Sequence, residues 1–146
     1  MIFKCIKMFK VSKTTNKELN KFEVKEWPYA DMEHYGKKVK YNNKSFMFKA
    51  TVEKEIVGCI KGKLESGVLY IDYLIVAHDK KGNGIGKMLS LRVEEFGKIN
   101  KAHKIHLITG KGWKAEKFYQ KLGYKQIATL PNHNFKKDFI IYEKFI

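Results

Sequence analysis

The sequence predicts an α/β (α+β) fold, a mixed sheet in which an antiparallel meander is followed by a central parallel βαβ unit, with flanking helices. Three β-rich runs joined by short polar turns occupy residues 45–77, which is the pattern of an antiparallel meander. A stripe of apolar residues at helical spacing follows directly, and a further β-rich run comes after it. A strand–helix–strand crossover of this length implies parallel, right-handed pairing, so the middle of the sheet is predicted to be parallel.

The N-terminal segment predicts one strand and two helices. Residues 1–11 mix apolar residues with lysines and predict a strand. Thr15-Asn16-Lys17-Glu18 has the spacing of a capping box, which predicts a short helix directly after it. Residues 27–38 predict a second helix.

The meander and the elements after it follow from their periodicity. The runs SFMFKATV, IVGCIKGKL and VLYIDYLIVA predict three strands, and the third is the most apolar, as expected of a strand buried on both faces. Gly84 to Asn100 predicts a helix, HKIHLIT at 103–109 a strand, and residues 112–122 a second helix that stops at Gly123. The runs YKQIATL and KDFIIYEKFI predict two last strands. The apolar stripes of the two helices are Ile85, Met88, Leu89, Val93, Phe96 and Ile99 in the first and Ala115, Phe118, Tyr119 and Leu122 in the second.

The chain carries a large positive charge. Thirty basic and 15 acidic residues give a formal charge of +15, which attracts anions such as a phosphorylated cofactor, nucleic acid or an acidic protein. Arg92 is the only arginine, and this counts against base reading because sequence-specific DNA readers favour the bidentate arginine fork. A solvated, lysine-rich surface explains the charge equally well.

The sequence lacks long apolar runs and the residue spacing of metal sites, which bears on cellular location and metal binding. No run approaches the roughly 20 uninterrupted apolar residues of a membrane-spanning helix, and the N-terminus lacks the apolar region of a signal peptide. We therefore expect a soluble, cytoplasmic protein. Cys5 and Cys59 lack C-x-x-C spacing and the histidines lack metal-ligand spacing, so we expect reduced cysteines and no metal.

The residues that point to chemistry form a glycine-rich turn, Lys81-Gly82-Asn83-Gly84-Ile85-Gly86, between the central strand and the long helix. Glycines let backbone N–H groups approach a ligand closely, and a helix N-terminus favours phosphate. A dinucleotide-binding unit would place an acidic residue about 20 residues later, but residues 101–108 contain no carboxylate. A Walker loop would end in Gly-Lys-Ser/Thr, and this turn does not. A turn that serves tight packing alone remains an alternative.

Two segments together resemble one family. Val76-Ala77-His78-Asp79-Lys80-Lys81-Gly82-Asn83-Gly84-Ile85-Gly86-Lys87-Met88-Leu89 resembles the acyl-CoA-binding motif of the GNAT superfamily of N-acetyltransferases, Gln/Arg-x-x-Gly-x-Gly/Ala after a strand ending in Val. Ala115-Glu116-Lys117-Phe118-Tyr119-Gln120-Lys121-Leu122-Gly123-Tyr124 resembles the later signature, a helix ending in Tyr-x-x-x-Gly-Phe. The resemblance spans about residues 45–146. Lys81 replaces the usual Gln or Arg, and Gly112, followed by Trp113, replaces an asparagine near the start of the second helix.

The resemblance implies one GNAT-like acetyltransferase domain over residues 1–146 that uses acetyl-CoA as co-substrate. A neutral amine attacks the thioester directly, without a covalent enzyme intermediate, and Tyr119 protonates the departing thiolate. A splay beside the central strand admits the pantetheine arm, and a backbone N–H there polarises the thioester carbonyl. The implied coenzyme-binding residues are Leu74, Ile75 and Val76 at the splay, and Lys81, Gly82, Asn83, Gly84, Ile85, Gly86 and Lys87 around the pyrophosphate.

Several assignments stay open at this point. Asp72 is the only carboxylate in the central strand and is the candidate general base, but a solvent-facing carboxylate and a water chain are alternatives. Tyr119 also fits a core aromatic. The expected partners are acetyl-CoA and an unidentified primary amine, small molecule or protein; nucleic acid and membranes are not expected, and the protein is expected as a monomer or homodimer. The alternative function is a non-catalytic acyl-CoA-binding or nucleic-acid-associated module on the same fold.

Overall fold

The structure is a computed structural model that describes residues 9–146. The predicted strand over residues 1–11 lies outside the described residues except for 9–11, which form no strand. The chain divides into two compact units, one up to Lys40 and the other over Tyr41–Ile146. The expectation of a single domain therefore stays a prediction, and each unit is described by itself.

Over residues 9–40, the described part of the first unit, there is one long helix, α1, at Asn16–Tyr35. The capping box is present: the Thr15 side chain accepts from the backbone N–H of Glu18, and the Glu18 side chain accepts from the backbone N–H of Thr15. The prediction of two helices was wrong, because α1 continues through Pro28 and ends at Gly36 in the left-handed conformation, φ 65°. Proline removes one helical hydrogen bond, but its fixed φ is compatible with a helix.

The second unit is a six-stranded sheet in the order β1-β2-β3-β4-β6-β5 with two helices. Strands β3 and β4 pair in parallel, and the other neighbours pair antiparallel. Both the meander and the central βαβ unit are therefore confirmed. The strands are β1 Lys44–Val52, β2 Glu55–Glu65, β3 Val68–Val76, β4 Lys104–Gly110, β5 Lys125–Leu130 and β6 Phe139–Phe145, and the helices are α2 Ile85–Ile99 and α3 Lys114–Lys121.

Helix α2 lies close to the sheet because glycines remove side chains at two contacts. A Cβ on Gly97 would lie 2.5 Å from Leu69 Cδ1, and a Cβ on Gly58 would lie 2.9 Å from Ile85 Cγ2. Such distances are too short for real carbon contacts. The core between the helices and the sheet includes Leu69, Val93, Ile105, Leu107 and Tyr142, all nearly inaccessible to solvent.

Two details of the predicted packing were wrong. The buried face of α2 includes Ser90 and Glu94, whereas Met88 and Ile99 of the predicted stripe are exposed. Glu94 tolerates burial because its carboxylate pairs with Lys144 Nζ of β6 at 2.6 Å. Strand β3 is not buried on both faces, since Asp72, Tyr73 and Ile75 are exposed in the part of β3 from which β4 has diverged.

Candidate active site

The central strands separate partway along their length. The pairing of β3 with β4 runs from Val68–Lys104 to Tyr70–His106 and then stops, although β3 continues to Val76 and β4 to Gly110. Backbone groups on that edge of β3 therefore lack a strand partner beyond Tyr70, while the opposite edge still pairs with β2 up to Gly58–Val76. The divergence leaves free hydrogen-bonding groups at the position of Leu74–Val76, where the pantetheine arm was predicted.

A β-bulge at Asp72 marks the point where the strands separate. The register passes from Lys61–Tyr73 to Gly62–Ile71, so that Asp72 is the extra residue of β3. Bulges redirect side chains and are common beside active sites. Asp72 is exposed. Hydrogen bonding and charge attraction from Glu65, with a smaller attraction from Asp72, raise the pKa of Lys63 of β2.

The glycine-rich turn before α2 has the geometry of an anion site. Gly82 and Gly84 have φ of 81° and 79°, and a Cβ on either residue would have no atom within 4 Å. Gly84 is the N-cap of α2 and provides no side-chain cap, and the first turn contains no acidic residue. The first N–H groups of the helix are thus uncapped by any side chain there. Asn83 Nδ2 donates to the Lys80 carbonyl at 3.1 Å and fixes the turn.

Gly86 has a different role from Gly82 and Gly84. A Cβ at Gly86 would lie 3.2 Å from the ring of Phe118 and 3.6 Å from Leu74 Cδ2. The residue therefore allows α2, α3 and β3 to pack closely. Tight packing thus explains Gly86, whereas Gly82 and Gly84 have open surroundings and a positive φ that favours glycine.

Tyr119 lies on the inner side of α3 and is 7% exposed. Its ring meets Phe118 and Tyr124 edge-on, with centroid distances of 5.0 and 5.4 Å. Burial raises the pKa of Tyr119 to about 12, because the charged phenolate loses solvation in the interior. The hydroxyl therefore keeps its proton at neutral pH.

The start of α3 departs from the family pattern in a specific way. At the position of the usual asparagine, Gly112 adopts φ 82° and its N–H donates to the Glu116 carboxylate. Trp113 is the N-cap residue, and its ring lies against Phe139 at 5.4 Å while occupying the space beside Gly110. The Glu116 side chain therefore fixes the residue before the N-cap, while no side chain caps α3 itself.

The structure brings several of the predicted residues together and leaves one apart. Leu74 of β3, Gly86 of α2 and Phe118 of α3 are in mutual proximity, so the splay, the turn and the helix of Tyr119 converge. Asp72 lies two residues before Leu74, at the bulge, with an exposed side chain. Sequence reasoning missed Tyr124, whose hydroxyl is buried without a partner among the described residues and whose ring meets that of Tyr119 edge-on. The only signal was tyrosine at the position where the second signature has phenylalanine.

Other kinds of site receive no support from the described part of the chain. Within residues 9–146 there is no group of three or more histidine, cysteine or acidic side chains arranged to hold a metal ion. None of the helices in the same residues has the length and hydropathy of a membrane span.

Comparison with known proteins gives one consistent family. Residues 11–142 match the family model described as "Acetyltransferase (GNAT) domain". N-acetylaspartate synthetase of Xenopus tropicalis is 31% identical over 87 residues, which cover 58% of this chain and 32% of that protein. The matched segment thus spans about a third of the length of this curated relative.

Solved structures agree in fold. An acetyltransferase from Bacillus cereus superimposes with a TM-score of 0.75 at 23% identity, covering 94% of this chain and 98% of that one. An aminoglycoside 6'-N-acetyltransferase complexed with coenzyme A gives a TM-score of 0.64 at 21% identity, with 88% and 89% coverage. At these identities the likeness shows the fold, which is that of GNAT acetyltransferases.

Proposed function

The chain belongs to the GNAT acetyltransferase family, and on that premise we propose that it transfers the acetyl group of acetyl-CoA to a primary amine. The observation that carries the proposal is the uncapped N-terminus of α2, with open space at Gly82 and Gly84, next to the splay between β3 and β4. A phosphate group and an extended amide-containing arm are the ligands that such a pair of features would bind. Residues 1–146 form one acetyltransferase domain in this proposal.

Binding of acetyl-CoA divides between two sets of residues. Backbone N–H groups of Gly82–Lys87 hold the pyrophosphate, supported by the positive charge of Lys81 and Lys87. Backbone groups of Leu74, Ile75 and Val76 bind the pantetheine arm along the open edge of β3. The coenzyme A complex of a structural relative supports the same ligand class here.

The proposed reaction is a direct transfer. The amine nitrogen attacks the thioester carbonyl carbon, a C–N bond forms and the C–S bond breaks. A backbone N–H on the open edge of β3 donates to the carbonyl oxygen as it gains negative charge. The Tyr119 hydroxyl donates its proton to the departing sulfur, and the phenolate regains a proton before the next turnover.

Asp72 is the proposed acceptor of the proton that the amine must lose. The support for this role is the position of Asp72 at the bulge of β3, two residues after the last residue that pairs with β4. Exposure of the side chain allows the proton to pass on to solvent. Asp72→Asn, which keeps the shape of the side chain, tests this role through a loss of turnover at neutral pH that is recovered at higher pH.

The acceptor is proposed to carry little positive charge. The formal charge of +15 disfavours the approach of polycations. The relative from Xenopus tropicalis is named for an acidic product, N-acetylaspartate, so acidic and zwitterionic amino acids belong among the first acceptors to be examined.

The test is thiol release from acetyl-CoA, corrected for hydrolysis, with a panel of amines graded by charge. The panel includes aspartate, neutral amino acids, peptides with free N-termini, a polyamine and an aminoglycoside. Turnover with at least one amine, and acetylated product identified by mass spectrometry, is expected. Tight coenzyme A binding without turnover across the panel would favour the non-catalytic module, and nucleic-acid binding that persists at high salt and ignores coenzyme A would point to the nucleic-acid alternative.

A further inference from the structure

A row of polar side chains crosses the sheet at the point where β3 and β4 separate. Lys63 of β2 pairs with Tyr70 of β3, and Tyr70 pairs with His106 of β4. His106 in turn pairs with Glu143 of β6. The pair Tyr70–His106 is the last one between β3 and β4, so these two residues lie at the closed end of the gap.

The row lies on the face of the sheet opposite α2 and α3. Leu69 of β3 lies against α2, and the Tyr142 hydroxyl of β6 accepts a hydrogen bond from α3. Successive side chains of a strand alternate between the two faces, so the row, which follows Leu69 and Tyr142 by one residue, lies on the other face. Tyr119 belongs to the core on the helix side. The row and Tyr119 are therefore on opposite faces of the sheet.

Within this row, His106 and Glu143 form a dyad. His106 Nδ1 lies 3.0 Å from Glu143 Oε1, and Lys104 Nζ lies 3.1 Å from the same oxygen. The hydrogen bond from His106, with the bond and charge of Lys104 added, lowers the pKa of Glu143 against the effect of burial, so the carboxylate is ionised at neutral pH. An ionised carboxylate only accepts hydrogen bonds, so Nδ1 carries the proton and Nε2 of the neutral ring is a proton acceptor.

The other side of the His106 ring is available to a substrate. The side chain is 26% exposed, and Nε2 has no hydrogen-bond partner within residues 9–146. The Tyr70 ring packs beside it with a centroid distance of 5.3 Å. The charged groups that the adjoining strands bring to this row are Lys63 and Glu65 of β2, Asp72 of β3, Lys104 of β4 and Lys125 of β5. The dyad thus has the arrangement of a histidine base whose ring is fixed by a carboxylate.

Acetyl transfer removes two protons from the acceptor nitrogen. A primary amine arrives largely protonated at neutral pH, because amines have pKa values of about 8 to 10, and it loses one proton before it attacks. Once the C–N bond has formed, the nitrogen carries a positive charge and a second N–H bond must break. Asp72 is the proposed acceptor of the first proton. The second proton needs an acceptor of its own.

We propose that His106 is a second catalytic base, whose Nε2 atom accepts the proton from the nitrogen after the C–N bond has formed. The N–H bond breaks, its electron pair stays on nitrogen, and the ionised Glu143 stabilises the imidazolium that results. Both bases then return their protons to solvent. Because Tyr119 gives one proton to sulfur and regains one from solvent, the net release is one proton per turnover. This inference rests on the acetyl-transfer function proposed above.

The substitution His106→Asn tests the inference through the pH profile of kcat. Asparagine keeps a donor for Glu143 close to the position of Nδ1 and has no group that accepts a proton. It should lower kcat at pH 7 about 10²-fold, the lower end of the range for a general base, and leave KM for acetyl-CoA within about twofold. The fall of wild-type kcat from about pH 8 to about pH 5, where histidine titrates, should be absent from the variant. The matched control is His103→Asn, beside Gly67 in the turn before β3, which should keep both kcat and the profile.

The substitution Glu143→Gln separates a base from a histidine that only supports the fold, and it decides the question if His106→Asn fails to fold in a thermal melt. The amide still accepts from Nδ1 but lacks the charge that stabilises the imidazolium. We expect kcat to fall about 3- to 10-fold and the acid limb to move to lower pH. An unshifted limb, or a folded His106→Asn variant with kcat within about twofold of wild type, would overturn the inference. A wild-type protein that releases thiol with none of the amines would instead overturn the acetyl-transfer function, so the two failures are distinguishable.

Discussion

Replacement of Tyr119 by phenylalanine separates a catalytic hydroxyl from a structural one. Phenylalanine preserves the edge-on contacts of the ring with Phe118 and Tyr124. Burial is the cause of the raised pKa of Tyr119, with no hydrogen-bond or charge partner contributing to it. Loss of the hydroxyl should therefore leave the melting temperature nearly unchanged, since the ring keeps its packing.

The expected loss of activity follows from the same burial. A complete proton transfer by a general acid is worth about 10²- to 10⁴-fold. A phenol with a pKa of about 12 gives up its proton to a thiolate reluctantly, so its contribution is closer to that of a hydrogen bond to a charged atom, about 1.5–3 kcal/mol. Tyr119→Phe should thus lower kcat by about 10- to 150-fold and hardly change the affinity for acetyl-CoA.

The assay is steady-state turnover at saturating acetyl-CoA, with a solvent-viscosity series to show that product release is not rate-limiting. Calorimetric affinity for acetyl-CoA and a thermal melt are measured on the same preparation. A kcat within a factor of about two of wild type, under conditions where chemistry is slow, would remove Tyr119 from the mechanism. A lower melting temperature with normal kcat would identify a structural tyrosine.

Three further predictions concern the turn, alkaline pH and the buried ion pair. Gly84→Asp should lower the calorimetric affinity for coenzyme A at least tenfold more than Gly84→Asn, because both residues tolerate φ 79° and only aspartate repels pyrophosphate; equal affinities would refute the cradle. Because burial raises the pKa of Tyr119 to about 12, its hydroxyl contributes stability that is fully present below pH 10 and is lost as the pH rises to about 12, up to roughly 3 kcal/mol. Tyr119→Phe should therefore lose less unfolding free energy than wild type over this pH range in denaturant melts; parallel pH profiles would contradict this. Glu94→Ala should destabilise the folded protein by about 2–3 kcal/mol, less than the loss of a fully buried pair, because the Lys144 side chain remains 24% exposed. An unchanged denaturation midpoint would show that the pair contributes nothing to stability.

Local periodicity and turn chemistry were sufficient to predict most of the second unit. The three meander strands, the helix after the glycine-rich turn and the parallel return at β4 all depend on patterns within about 10–15 residues. The length of α1 was not predictable in this way, because a proline such as Pro28 normally suggests a helix boundary. The capping box at Thr15 located the start of that helix correctly.

Features that depend on contacts between residues far apart in the chain could not be predicted from the sequence. Glu94 and Lys144 are 50 positions apart, and nothing in an apolar helical pattern indicates that a carboxylate on it is paired. The bulge at Asp72 is a one-residue change of register, which hydrophobic alternation does not record. Gly84 and Gly86 look alike in the sequence, yet one has a positive φ in open surroundings and the other contacts Phe118.

The separation of β3 and β4 has a cost that the proposed ligand would offset. Beyond Tyr70 the inner edge of β3 loses the hydrogen bonds of a parallel neighbour, and unpaired backbone groups are unfavourable unless water or another partner satisfies them. The fold maintains the gap because β2 pairs with the other edge of β3 through Val76 and because the close contact at Gly86 holds α2 and α3 across the opening. A pantetheine arm, with its amide groups, would complete the edge as an added strand does. Gly86→Ala, whose added methyl would meet the Phe118 ring, should therefore weaken acetyl-CoA binding in calorimetry through the packing around the opening; an unchanged affinity would show that this contact does not hold the gap.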